Sequence, residues 1–359
     1  MKLQKQTFSF PSLPNFPNLP NFQKAFLFDI ETTGLSPKTS YIYLIGVLFF
    51  QENSWHSLQW LAQNRSEESE ILQHFLKFCN SYSQMIHFNG RRFDLPFLLE
   101  RCRQLHILCP LTSFSEFDLY QVIRPLKHLL NLEKLNQMYL ESFLGVCRLC
   151  PYTGKDLISF YQQYQSSFGI ESEQFFFQHN LDDLKGMISL LSFLSYQSLQ
   201  EGAFSLQKVS CVNHSDETDY FYLEISVLLT YAVPVPISFQ NQYGILRASK
   251  NKCLFWVQGK KGTMKHFFTD YKHYDYLPFE ERVIHKSLSA YVDRSHRRSA
   301  RAEECYVEKT GLFLPQKTSL YTPCFQEMYR APQIYFEYTK DLFSNLPLLL
   351  SYIQSLFLQ

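Results

Sequence analysis

Three groups of residues in this chain have the types and spacing to do chemistry. Asp29 and Glu31 stand at i and i+2 in FDIETTGL, so on an extended strand both carboxylates point to one face. Asp94 falls in HFNGRRFDLPFL, residues 87–98, beside an Asn-Gly turn and two arginines. His179 and Asp183 are four apart in FFFQHNLDDLKGMISLL, residues 175–191, hence on one side of a helix. Asp182 would point about 100° away. Carboxylates gathered at the end of a buried strand are costly unless a cation lies among them, and hard divalent ions take oxygen ligands. Four such groups suit two divalent ions that activate water and stabilise the leaving oxygen of a phosphodiester. A His beside the last Asp would orient or deprotonate that water.

Each group alone has a plainer reading: an acidic strand end in water, an Asp capping a helix, an exposed helix face with a surface His. It is the set that points to metal chemistry. The elements that must position it are legible as runs. KAFLFDI (24–30), YIYLIGVLFF (41–50), SWHSLQWLA (54–62) and QMIHF (84–88) read as strands. SEESEILQHFLKFCN (66–80) reads as a helix opened by Ser66 and acids, and the segment after Asn89-Gly90 as a helix with Pro96 in its first turn. Strand, crossover helix and strand imply a mixed sheet covered on both faces. Helical stretches continue to about residue 198. Beyond about 200, short β-rich runs (FYLEISVLLTY, GILRAS, CLFWVQ) precede helical segments near 280–303.

The expected organisation is a proline-rich arm over 1–23, an α/β domain over 24–198, a polar linker over 199–217 and a smaller α+β domain over 218–359. In the arm, Pro11, Pro14, Pro17 and Pro20 keep a period of three, the repeat of polyproline II, and the arm is read as a strap on the body. Composition bounds the rest. The 359 residues carry net charge +1, with 45% hydrophobic and 19% charged residues, which excludes intrinsic disorder. No apolar run approaches eighteen residues, so no membrane span is expected, and the proline-rich start makes a poor signal peptide. Nine irregularly spaced cysteines read as free thiols in a cytoplasmic protein. Cys147-x-x-Cys150 has no second pair and reads as inert; His285, His296 and Cys305 read as ordinary packing.

On DIETTGL, FNGRRFDLPFL and HNLDD, supported by FDLY at 117–120 and LESFLGVCR at 140–148, residues 24–198 resemble the DEDD 3′–5′ exonucleases of the ribonuclease-H-like superfamily. More closely they resemble predicted bacterial exonucleases with those motifs. The resemblance implies a ribonuclease-H-like mixed sheet flanked by helices. It implies Asp29, Glu31, Asp94 and Asp183 as ligands of two Mg²⁺ or Mn²⁺ ions, and His179 as the water-orienting residue. Family members place a catalytic His five before the last Asp or a Tyr four before; this chain has a His at the Tyr spacing. The implied substrate is the 3′ end of a single strand, DNA ahead of RNA, held by Thr32, Thr33, Gly34 and Leu35 and by Asn89, Arg92 and Phe93. The rival readings are a catalytically silent nucleic-acid-binding module and a structure-specific endonuclease on the same fold. Protein partners are not legible.

In the C-terminal half, residues 247–301 hold thirteen Lys+Arg against five Asp+Glu, interleaved with aromatics. That suits either a phosphate-tracking groove with stacking surfaces or a solvated cationic face. Arg294, Arg297, Arg298 and Arg301 recur there at helical spacing.

Overall fold

The computed structural model describes residues 1–11, 13–167, 170–212, 219–339 and 345–358. The chain divides into two compact units, one of residues 1–197 with 233–235 and one of 198–232 with 236–359.

The first unit is built on a six-stranded sheet in the order β1-β4-β3-β2-β5-β6. Its strands are β1 (Lys2–Phe8), β2 (Ala25–Thr32), β3 (Ile42–Gln51), β4 (Ser54–Leu61), β5 (Gln84–His87) and β6 (Ser115–Asp118). β2 runs antiparallel to β3 and parallel to β5, so it is the central strand on which the ladder changes sense. Its Phe26, Leu27 and Phe28 are fully enclosed, as an apolar run covered on both faces requires. Helices α1 (Glu68–Cys79), α2 (Asp94–Gln104), α3 (Leu119–Ile123), α4 (Gln137–Phe143), α5 (Gly154–Ser167), α6 (Ile170–Leu190) and α7 (Leu194–Gln200) complete the order to residue 200. This is the ribonuclease-H-like mixed α/β architecture expected from the sequence.

One core pairs the β2 and β3 phenylalanines and isoleucines with Ile71, Leu72 and Phe75 of α1 and Phe97 and Leu98 of α2. A second sets Tyr43 and Leu44 against Tyr161, Tyr164 and Phe176 of α5 and α6. α1 does not open on Ser66. Asn64 accepts the Ser66 N–H at 3.0 Å and caps a short 3₁₀ turn that leads into Glu68. Glu68 is enclosed because Arg101 of α2 pairs with it at 2.6 Å and the Ile42 N–H donates to it at 2.9 Å. The residues of the expected arm contribute β1, which pairs with β4, and rings of Phe10 and Phe22 that meet Trp55 at 5.8 and 4.9 Å.

The second unit contains a five-stranded sheet in the order β14-β13-β9-β8-β7. These are β7 (Phe204–Val212), β8 (Tyr220–Asn241), β9 (Gly244–Phe267), β13 (Tyr306–Gln316) and β14 (Ile334–Glu337). A small three-stranded sheet joins β10 (Tyr274–Leu277), β11 (Arg282–His285) and β12 (Arg298–Ser299). Helices α8 (Lys286–Ser289) and α9 (Leu346–Ile353) are short. Within the stretch expected to be linker, residues 204–212 are the strand β7, and residues 213–217 lie outside the described residues. The helices expected near 280–303 are reduced to α8 and single 3₁₀ turns. The arginines there have no apolar stripe beside them; Arg297 pairs with Asp275 at 3.1 Å, and Arg298 pairs with Glu304. No helix among the described residues is long and apolar enough to cross a membrane.

Candidate active site

Three segments far apart in sequence converge at the C-terminal end of β2. The strand brings Asp29 and Glu31, the start of α2 brings Asp94, and α6 brings His179 and Asp183. All five line one cleft of about 530 Å³, together with Phe88, Asn89, Phe93, Tyr120 and Gln137. His179 Nε2 lies 3.3 Å from Asp183 Oδ2 and 3.7 Å from Glu31 Oε1, so the four-residue spacing on α6 puts the imidazole directly among the carboxylates. Ligand atoms of Glu31, His179 and Asp183 all fall within 4.8 Å of one another.

The electrostatics are those of a site awaiting positive charge. Burial, then the neighbouring Asp183, Glu31 and Asp94, push the Asp29 carboxyl well above its ordinary value, against a hydrogen bond from Asn180. Glu31 is raised by burial, Asp183 and Asp94, with Arg148 opposing. Asp94 rises to about 7 because burial outweighs hydrogen bonds from its own N–H and that of Ile30, with Asp183 and Asp118 adding to the rise. A divalent ion would relieve both the desolvation and the mutual repulsion, and the donor set of carboxylates with one imidazole fits such an ion. Asp29, Glu31, Asp94 and Asp183 would hold it.

The residues around these five fix their orientation. Asn180 donates to Asp29 Oδ2 at 2.8 Å, and its own Oδ1 accepts from Gln59 of β4 at 2.9 Å. This contact needs Gly46, the β3 partner of Asp29, because a Cβ there would lie 1.8 Å from Asn180 Oδ1 and 2.9 Å from Leu184 Cδ1. Arg148 donates to Asp183 Oδ1 at 2.7 Å and through Nε to Glu141 at 2.5 Å, with both partners of that second pair nearly enclosed. Burial works against the Arg148 charge, but Glu141 and Asp183 hold it protonated above its ordinary range. Gln137 donates to the Asp183 carbonyl at 2.7 Å.

Asp182, the neighbour of Asp183, faces elsewhere. Its carboxylate accepts the N–H groups of Leu149 and Cys150 at 2.9 and 2.8 Å and so shapes the loop that carries Arg148. Of the residues expected to hold substrate, Asn89 and Phe93 line the cleft, whereas Thr32, Thr33, Gly34, Leu35 and Arg92 are not in its wall among the described residues. The turn after Glu31 folds back on Tyr41, whose N–H donates to Thr33 Oγ1 at 3.1 Å, and Leu35 is 83% exposed. Arg92 lies over the Tyr120 ring, 5.9 Å from its centroid. Asn89 holds a left-handed φ of 58°, and its N–H donates to Asp118 at 2.8 Å. Its Oδ1 is buried without a partner among the described residues, as is His179 Nδ1.

Asn180 and Arg148 stood inside the motifs yet drew no role from sequence, because a polar neighbour of a ligand looks the same whether it faces the ligand or solvent. Gly46 left no signal at all beyond being a glycine inside an apolar strand. Nor does Cys147-x-x-Cys150 gather a ligand set: Cys147 is exposed and Cys150 buried.

Against known proteins, the family model described as the RNase_H superfamily matches residues 26–195. No curated protein matches the chain. Among solved structures, the chain is similar to a family B DNA polymerase of the hyperthermophilic archaeon Pyrobaculum calidifontis. Identity is 15%, with 50% of this chain and 25% of that one covered and a TM-score of 0.39. It is also similar to exonuclease I, at 9% identity, 56% of this chain, 55% of that one and a TM-score of 0.34. The zinc-bound E. coli exonuclease I complex with single-stranded DNA gives 9%, 55%, 53% and 0.34. The chain thus spans about a quarter of the polymerase and about half of exonuclease I. The match over 26–195 and the sheet order together make the fold of the first unit ribonuclease-H-like.

Proposed function

We propose that this protein is a metal-dependent exonuclease that removes nucleotides from the 3′ end of single-stranded nucleic acid, DNA ahead of RNA. The observation that carries the reading is the convergence of Asp29, Glu31, Asp94, His179 and Asp183 on one cleft with three of the carboxyls displaced upward. Two Mg²⁺ or Mn²⁺ ions held there would supply an activated water and charge stabilisation for the leaving oxygen. The chain's own groups do the positioning. Asn180 and Gln59 fix the Asp29 carboxylate, Arg148 fixes Asp183, and His179 Nε2 orients the water and takes its proton. Asn89, which lines the cleft on a left-handed backbone, contacts the terminal nucleotide, while Phe93 and Tyr120 give its base an apolar wall. Thr32 to Leu35 and Arg92 would then act from beyond the cleft wall, along the strand.

The test uses 5′-labelled single-stranded DNA and RNA with Mn²⁺, with EDTA, and with Asp29→Ala. A metal-dependent ladder that shortens from the 3′ end and vanishes in the variant is the expected result. Cleavage of a closed circular strand would replace this reading with an endonuclease. Binding without cleavage of any strand would replace it with a silent binding module.

A further inference from the structure

The second unit carries a charge pattern the cleft does not use. β9 holds Arg247, Lys250, Lys252, Lys260, Lys261 and Lys265 and has no Asp or Glu. It also reverses on itself: Lys250 has a left-handed φ of 52°, and the Gln258 N–H donates to the Tyr243 carbonyl at 2.9 Å. Alternation sorts its side chains. Phe221, Leu223, Ile225 and Val227 of β8 are enclosed with Leu246, Ala248, Cys253, Phe255 and Val257 of β9. The residues between them stand on the opposite face.

That face is a row of rings and cations. Trp256 Nε1 donates to Glu224 Oε2 at 3.0 Å, which fixes the indole against β8, and the Arg247 guanidinium lies over the indole 5.4 Å from its centroid. Tyr222, Ile245, Arg247 and Trp256 enclose a depression of about 310 Å³. Tyr220 and Gln258, each two residues along its strand from Tyr222 and Trp256, border with Lys260 a second one of about 300 Å³, where Lys260 Nζ lies over Tyr335 at 5.8 Å. Tyr220 and Tyr222 stand about 6.7 Å apart along β8, and Trp256 on β9 adds a third ring. Lys260 pairs with Glu327 and Lys265 with Glu308, and Arg297, Arg298 and Arg301 from the same basic tract pair with Asp275, Glu304 and Glu303, whereas Arg247 is engaged by the indole.

We propose that this face of β8 and β9 is a binding platform for single-stranded nucleic acid, with Trp256 and Tyr222 stacking on bases and Arg247 contacting phosphate. A hydrogen-bonded sheet that presents rings beside a strand whose charged residues are all basic offers both terms such binding uses, base stacking and phosphate neutralisation. An anionic lipid surface would draw on the same cations but offers no bases for Trp256 and Tyr222 to stack on. The platform needs neither metal nor cleavage, so it stands or falls separately from the nuclease reading.

The test uses the full chain carrying Asp29→Ala, in EDTA, with 5′-fluorescein-labelled oligothymidylate and oligouridylate read by anisotropy at several salt concentrations. Trp256→Ala is expected to weaken binding by about 5- to 150-fold, the equivalent of ~1–3 kcal/mol of stacking, and Trp256→Phe to restore most of it. Arg247→Glu, at an exposed position, is expected to lower the slope of log affinity against log salt by about 1. Unchanged affinity and slope in Trp256→Ala and Arg247→Glu would overturn the proposal. So would loss of binding to phosphatidylserine-containing vesicles in these variants while oligonucleotide binding stays intact. Failure of the nuclease reading would appear instead as an oligonucleotide that the protein with Asp29 intact leaves uncut in Mn²⁺ yet still binds through Trp256.

Discussion

Asp94→Asn should make the metal-free protein more stable at neutral pH, which runs against the usual cost of altering a buried polar residue. The Asp94 carboxyl sits at about 7 in the folded state against an ordinary 3.8, chiefly because burial penalises its charged form. Below about pH 4 the group is protonated in both states and contributes nothing. Between about 4 and 7 the unfolded chain ionises and the folded one does not, so stability falls as pH rises. Above 7 the full penalty is in place, at most about 4 kcal/mol at ~1.4 kcal/mol per pH unit. Asparagine keeps an oxygen for the Ile30 N–H and carries no charge. The assay is urea unfolding in EDTA in a Trp256→Phe background, so that fluorescence reports Trp55 and Trp60 of the first unit. The variant should exceed the parent by up to about 4 kcal/mol at pH 8, with the gap closing towards pH 4. A gap independent of pH, or a variant less stable at pH 8, would refute the account of burial and repulsion.

Three further outcomes are expected. Mn²⁺ at a hundred times its Kd should raise stability by about 2.7 kcal/mol over EDTA in a thermal scan, and Asp29→Ala should abolish the rise. Gly46→Ala, whose new methyl would collide with Asn180 and Leu184, should cost at least ~1–3 kcal/mol in urea unfolding and depress the proposed nuclease activity; unchanged stability would show that α6 has room to move. Arg148→Met, which strands Glu141 as a buried unpaired charge, should cost about 3–5 kcal/mol, and adding Glu141→Gln should recover most of it.

The strands and four of the cleft residues are legible from local pattern: apolar runs for β2, β3 and β5, i,i+2 for Asp29 and Glu31, i,i+4 for His179 and Asp183; Asp94 has no such pattern and is picked out only by the resemblance of FNGRRFDLPFL. What sequence could not supply was pairing across distance. Whether Asp182 or Asp183 faces the cleft depends on which side of α6 meets β2 and β3, and Gly46 settles that from 137 residues upstream of Asp183. The cap of α1 was misplaced because Asn64 and Ser66 are both competent caps and only the backbone turn chooses between them. In the second unit, basic residues at helical spacing suggested helices near 280–303. Spacing of charges says little without an apolar stripe, and those arginines answer to acids on neighbouring segments.

The cleft's dependence on three distant segments also has a consequence during synthesis. Asp183 follows Asp29 by 154 residues. At ~5–20 residues per second, roughly 8–30 s separate translation of the first acidic residue from that of the last. Until α6 has emerged and docked on β2, a chain still attached to its ribosome holds Asp29 and Glu31 without their partner from α6. Under the proposed function, an enzyme assembled this way would stay inert beside its own messenger until its first unit is whole.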